Sequence, residues 1–155
     1  LGGHKAKIIA TPGHTLDHIA YWFAEDKLVF VGDTLFSLGC GRVFEGTPPQ
    51  MWASLQKLMA LPPKTRIYCG HEYTEANAKF ALTIEPGNAL LVERAEEVVA
   101  QRRRGEATLP TTIGEERDTN PFLRAGEPKL QDQIGMAGAD PADVFAEIRK
   151  RKDNF

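Results

Sequence analysis

Three side chains of metal-binding type recur in one local setting. His14 sits in Thr11-Pro12-Gly13-His14-Thr15, after the short apolar run Ile8-Ile9-Ala10. Asp33 follows Leu28-Val29-Phe30-Val31-Gly32, and His71 follows Ile67-Tyr68-Cys69-Gly70. Imidazole nitrogens and carboxylate oxygens suit zinc, iron and manganese. A carboxylate has two oxygens and can bridge two ions, which an imidazole normally cannot. Asp33 is therefore the natural bridge, with His14 on one ion and His71 on the other. A hydroxide held between two ions is a strong nucleophile at neutral pH, and the same ions polarise a carbonyl. Asp33 is thus the expected catalytic residue as well as a ligand. A lone Gly-Asp reads as a turn cap and a lone His as a loop residue; the threefold recurrence argues for a site. His4 and His18 are read as structural. No Ser or Cys stands in an evident base-assisted arrangement, and Cys40 and Cys69 are read as buried neutral thiols.

The elements that position these groups follow from patterning. Residues 6–10, 18–23 and 28–32 read as strands, joined by links short enough to make them antiparallel neighbours. The run ending at Gly32 is continuously apolar, which predicts a strand buried on both faces. Gly32 lets the chain turn there, so Asp33 is presented at a sheet edge, where open α/β sheets place their chemistry. Residues 37–49 form a Gly- and Pro-rich loop of a length that is usually functional. Residues 50–61 carry Trp52, Leu55, Leu58 and Met59 at helical spacing and end at Pro62-Pro63. Residues 66–69 read as a strand and 74–84 as a helix. Asn88 caps a helix to about Arg104, with Gly105 as its stop. Residues 107–128 read as irregular, with one turn near Glu115 and Glu116. Asp140-Pro141 opens a last helix through about Lys152. The first half is β-rich and the second helical, which puts a boundary near His71.

Composition sets the class. The chain has 155 residues, 42% hydrophobic and 26% charged, with a net charge of −2, as in a soluble globular protein without a pull toward nucleic acid or membrane. No run approaches the roughly 20 apolar residues that span a bilayer. The basic runs Arg102-Arg103-Arg104 and Arg149-Lys150-Arg151-Lys152 lack interleaved aromatics, so neither reads as a nucleic-acid surface. The absence of a signal peptide and the two unpaired-looking cysteines point to a reducing, cytoplasmic setting. A start at Leu1 rather than Met suggests processing or a piece of a longer protein.

These motifs resemble the metallo-β-lactamase superfamily, and within it the hydroxyacylglutathione hydrolases, or glyoxalase II. Thr11 to Thr15, Gly32-Asp33-Thr34-Leu35-Phe36 and Gly70-His71-Glu72-Tyr73-Thr74 look like that family's later metal motifs. Cys40-Gly41-Arg42-Val43-Phe44-Glu45-Gly46 resembles its substrate loop. Asn120-Pro121-Phe122-Leu123-Arg124 and residues 149–155 resemble its helical C-terminal region. The resemblance implies the second half of a metallo-β-lactamase-like αββα sandwich in residues 1–71, followed by an α-helical glutathione-binding domain in 72–155. It implies hydrolysis of S-D-lactoylglutathione to glutathione and D-lactate, as in methylglyoxal detoxification. It implies two divalent metal ions, zinc foremost, with iron or manganese as alternatives. By matched positions His14, Asp33 and His71 are metal ligands, and Arg42, Tyr73, Arg149 and Lys152 hold the glutathione thioester. Arg and Lys pair well with the two carboxylates of glutathione.

The family's His-x-His-x-Asp-His motif, which supplies four ligands, occurs nowhere in this sequence. The ligand set is therefore incomplete, and the chain reads as the C-terminal part of such a hydrolase, a monomer lacking the N-terminal half of its own domain and inactive alone. Two other readings stand beside it: a persulfide dioxygenase-like member of the superfamily, and a non-catalytic glutathione-binding module.

Overall fold

The computed structural model describes residues 2–155. Five strands form one sheet in the order β1-β2-β3-β6-β7. These are β1 (Lys7–Ala10), β2 (Ile19–Phe23), β3 (Leu28–Gly32), β6 (Arg66–Cys69) and β7 (Thr111–Thr112). β1 to β3 form the expected antiparallel meander, with Lys7 opposite Trp22 and Tyr21 opposite Phe30. β6 lies parallel to β3, reached through α1 (Pro48–Met59), and β7 closes the far edge antiparallel to β6. β1, β3 and β6 thus run in one direction, and their C-terminal ends share one edge of the sheet.

Side-chain alternation decides which face is covered. Val29, Val31 and Ile67 are fully buried against Met51, Leu55 and Leu58 of α1, in a cluster that continues to Phe122, Phe145 and Ile148. That one cluster joins the strands to α4 (Ile113–Thr119), α5 (Pro128–Ile134) and α6 (Pro141–Asp153). β3 is not buried on both faces as its apolar run predicts. Phe30 is 44% exposed, and Ile8 and Tyr21 beside it are similarly open. Among the described residues the helices cover only one side of the sheet, and the outward half of each strand has no layer above it.

The helix caps behave as the sequence implies. Thr47 forms a capping box with Gln50 two residues earlier than the expected helix start, because Pro48 and Pro49 fit the first turn. α2 spans Thr74–Ile84, and α3 spans Ala89–Arg103 with the Asn88 side chain accepting from Leu91 N–H. Asp140 caps α6.

Two further expectations need correction. The 37–49 loop begins inside a small hairpin of β4 (Leu35–Phe36) and β5 (Gly39–Cys40). Residues 107–128 are more ordered than their composition suggests. Thr112 and Glu115 make a capping box that starts α4, and Thr111 pairs with Ile67. α5, ended by Gly135 in the left-handed region, was not foreseen; Pro128 opens it, but no capping side chain announces it. Among the described residues no helix is long and apolar enough to cross a membrane.

Candidate metal centre and its cavity

The shared strand direction brings the three candidate ligands to one sheet edge. Asp33 follows β3 and His71 follows β6, and these strands are neighbours with Gly32 level with Cys69. His14 arrives in the loop after β1, which Thr11 N–H closes onto the His18 carbonyl at 2.8 Å. Asp33 Oδ2 lies 3.5 Å from His14 Nε2 and 3.4 Å from His71 Nε2, so one carboxylate oxygen faces both imidazoles.

The surroundings fix these orientations. Gly32 has φ +50°, a conformation costly for side-chain-bearing residues, and a Cβ there would lie 2.7 Å from the His18 ring. At Gly70 a Cβ would meet Asp33 Oδ1 at 2.5 Å, so the absent side chain makes room for the carboxylate. His14 Nδ1 is 2.9 Å from the Arg42 carbonyl. That bond places the proton on Nδ1 and leaves the Nε2 lone pair facing Asp33, the tautomer a metal-binding imidazole needs. His71 stacks on Tyr73, with ring centroids 4.9 Å apart and planes 15° apart.

His18 is structural, though more closely tied to the site than its place at a strand start implies. Its Nε2 accepts from Asp33 N–H at 3.2 Å, so the proton resides on Nδ1, beside the hydroxyls of Thr34 (3.1 Å) and Thr11 (3.3 Å). Burial, then the neighbouring His14, lowers its pKa and favours this neutral form. The backbone of Asp33 is thereby held from below by a group that spacing alone could not connect to it.

All seven residues singled out from the sequence line one cavity of about 640 Å³. Asp33 and the two histidines line it together with Arg42, Arg149, Lys152 and Asp153. Phe36, Phe44 and Phe155 supply apolar wall. The cations differ in freedom. Arg42 is largely exposed, 3.8 Å from Asp153. Arg149 is buried, donating to the Cys40 carbonyl at 3.0 Å and to Asp153 at 3.1 Å, over the face of Phe122. Lys152 Nζ lies 5.1 Å from the centroids of both Phe80 and Phe155. Burial, then Arg149 and Arg42, lowers its pKa.

No alternative nucleophile lines this cavity in an activated state. Burial raises the Cys40 thiol to about 11, outweighing the Arg149 charge, and burial also raises Cys69. Ser37 Oγ donates to Glu116 and Ser54 Oγ to the Pro12 carbonyl, away from the histidines. The donor types at His14, Asp33 and His71, and the tautomer at His14, fit a metal. The number does not make a full site: among the described residues no group of three or more His, Cys, Asp or Glu side chains is placed to hold an ion by itself.

The sheet edge, its ligand-type side chains and the covering helices define a metallo-β-lactamase fold. The family model described as "Metallo-beta-lactamase superfamily" matches residues 1–71, and "Hydroxyacylglutathione hydrolase C-terminus" matches residues 72–155. Among solved structures, ETHE1 from Myxococcus xanthus aligns with a TM-score of 0.58 at 28% identity, over 96% of this chain and 46% of that one. TTHA1623 in a di-iron-bound form aligns with a TM-score of 0.51 at 29% identity, over 76% of this chain and 42% of that one. Curated proteins named hydroxyacylglutathione hydrolase are closer. That of Rhizobium meliloti (strain 1021) is 60% identical over 153 residues, and that of Rhodopseudomonas palustris (strain HaA2) 59% identical over 154. Each match covers 99% of this chain and 60% of the relative. The chain belongs to the hydroxyacylglutathione hydrolase family. It spans about 60% of the length of the curated relatives it matches.

Proposed function

We propose that this chain is the substrate-binding and partial metal-binding portion of a metal-dependent hydrolase of S-2-hydroxyacylglutathione thioesters. S-D-lactoylglutathione is the expected substrate, with glutathione and D-lactate as products, a step of methylglyoxal detoxification. The observation that carries the reading is one cavity lined both by Asp33, set between two imidazoles, and by three cations. Glutathione has two carboxylates and, in its thioesters, an acyl group on the central residue, and the cavity lining offers cations for the first and metal-type ligands for the second.

His14, Asp33 and His71 would hold two divalent ions, zinc foremost, together with ligands from the His-x-His-x-Asp-His motif that the family resemblance places upstream. When bound, such ions activate water and polarise the thioester carbonyl. The chain's own residues do the rest. The His14 Nδ1–Arg42 carbonyl bond keeps His14 Nε2 free to ligate. Gly70 and His18 keep the Asp33 carboxylate and backbone in place. Arg42, Tyr73, Arg149 and Lys152 bind and orient the glutathione moiety, with residues 72–155 as the glutathione-binding domain. The free thiols favour a reducing, cytoplasmic setting.

The incomplete donor set favours a second reading for the chain taken alone, a glutathione-binding module without catalysis. Elemental analysis after dialysis against a mild chelator separates the two. The expected result is little zinc and no thioester hydrolysis by the bare chain, with both restored when the upstream motif is supplied. Two tightly held ions on the bare chain, or chelator-resistant turnover, would overturn the shared-ligand reading.

A further inference from the structure

Asp153 is a carboxylate set among the cations of the cavity, and the proposed mechanism does not use it. It belongs to the last turn of α6 and has a side chain 43% exposed. Its Oδ1 takes the contacts with its neighbours: Arg149 Nε at 3.1 Å, Arg149 Nη2 at 2.9 Å and Arg42 Nε at 3.8 Å. Among the described residues, Oδ2 accepts no hydrogen bond. Each oxygen of an ionised carboxylate can accept about two, so the cavity wall keeps an unused acceptor of negative charge.

Arg149 and Arg42 both approach Oδ1, so Oδ2 takes none of these contacts. The pair Arg42 and Asp153 instead presents a guanidinium and a carboxylate side by side at the cavity edge. An α-amino-acid head group carries an ammonium and a carboxylate on one carbon, and its complement is one group of each sign at such a separation. Glutathione has one such head, on its γ-glutamyl residue.

We infer that Asp153 Oδ2 receives the α-ammonium of the γ-glutamyl residue, making Asp153 a specificity-determining residue for free-amine glutathione conjugates. The inference rests on the glutathione reading. It adds a requirement that the cations cannot impose: carboxylates alone are insufficient for full affinity.

The test compares S-methylglutathione with N-acetyl-S-methylglutathione by titration calorimetry on this chain, which carries Asp153, Arg149 and Arg42 together. Acetylation removes the ammonium charge and keeps both carboxylates. The unaltered chain should bind the free amine roughly tenfold more tightly, the size of one partly exposed charged hydrogen bond. Asp153→Asn should bring the two ligands within about twofold. Any damage to the Arg149 clamp weakens both ligands alike, so the ratio still reads the ammonium contact. Equal affinities in the unaltered chain would overturn the inference even if the variant failed to fold. A tenfold preference surviving in Asp153→Asn would overturn it too. Failure of the unaltered chain to bind either ligand is a different result, and would remove the glutathione reading together with this one.

Discussion

Arg149 and Lys152 are three residues apart on α6, so sequence spacing puts them on one helix face and assigns them one task. Their surroundings divide that task. Arg149 is tied to a backbone carbonyl of β5 and to Asp153, with its side chain 8% exposed. Removing one partner of such a buried pair strands the other, at a typical cost of 3–5 kcal/mol, reduced here because Asp153 is partly solvated. Arg149→Ala should therefore lose about 2–3 kcal/mol of stability as well as ligand affinity, seen as a lower Tm and weaker S-methylglutathione binding. Lys152 is more open. Lys152→Ala should leave Tm within a few degrees and weaken ligand binding alone; in the completed enzyme it should raise KM with little change in kcat. Identical melting of both variants would show that Arg149 clamps nothing. The cysteines give another residue-scale check. Cys40 is fully buried with its thiol near pKa 11, and Cys69 is half-buried with a thiol also raised. Mass spectrometry after brief treatment with iodoacetamide should find Cys69 modified well before Cys40. The reverse order would contradict the burial of the β5 strand.

At the scale of elements, α4 holds the β4–β5 hairpin through one carboxylate. Glu116 accepts from Ser37 Oγ, Leu38 N–H, Thr111 Oγ1 and Asn120 Nδ2, all at 2.7–3.0 Å, with no cation among them. Burial raises its pKa above the ordinary 4.5, and these hydrogen bonds oppose but do not reverse the shift. The folded state thus binds this proton more tightly than the unfolded state. The resulting stability is fully present below about pH 4.5 and is lost as pH rises through the folded value. Glu116→Gln removes the titration, so its stability relative to the parent should rise as pH increases above about 4.5 in urea unfolding series. Parallel pH profiles would show that Glu116 keeps its ordinary pKa.

This cluster also marks where sequence reading stops. The helices at 74–84, 89–103 and 141–153 were legible because caps, prolines and apolar periodicity are local signals. The convergence of His14, Asp33 and His71 was foreseeable because each follows a strand-like run. Glu116 meets Ser37 across 79 positions, and β7 is only two residues long, so neither has a local signature. His18 reads as a strand start but stands one residue before β2, and nothing local marks it as the acceptor for Asp33 N–H.

At the scale of the whole molecule, the outer face of the sheet is apolar and bare. Phe23, Phe30 and Tyr68 contact one another across β2, β3 and β6, with ring centroids 6.0 and 5.3 Å apart, and Tyr21 and Ile8 extend the patch toward β1. The opposite face is sealed by the buried cluster, so the exposure belongs to one face and not to loose packing. In a sandwich of the metallo-β-lactamase kind this face is where the second sheet belongs. Apolar surface left in water attracts any apolar probe or surface that can cover it. The chain should therefore enhance the fluorescence of an anionic naphthalene dye and elute from a sizing column with concentration-dependent size. Tyr21→Ser with Phe30→Ser should reduce both effects. Because these side chains are already half in water, the double change should cost only about 1–2 kcal/mol, far less than substitution at buried Val29 or Val31. Supplying the upstream half in one polypeptide should abolish dye binding without any substitution. If dye binding persists in that longer protein, the face is not where the second sheet packs. If the bare chain binds no dye, the side chains shield one another more completely than their separations indicate.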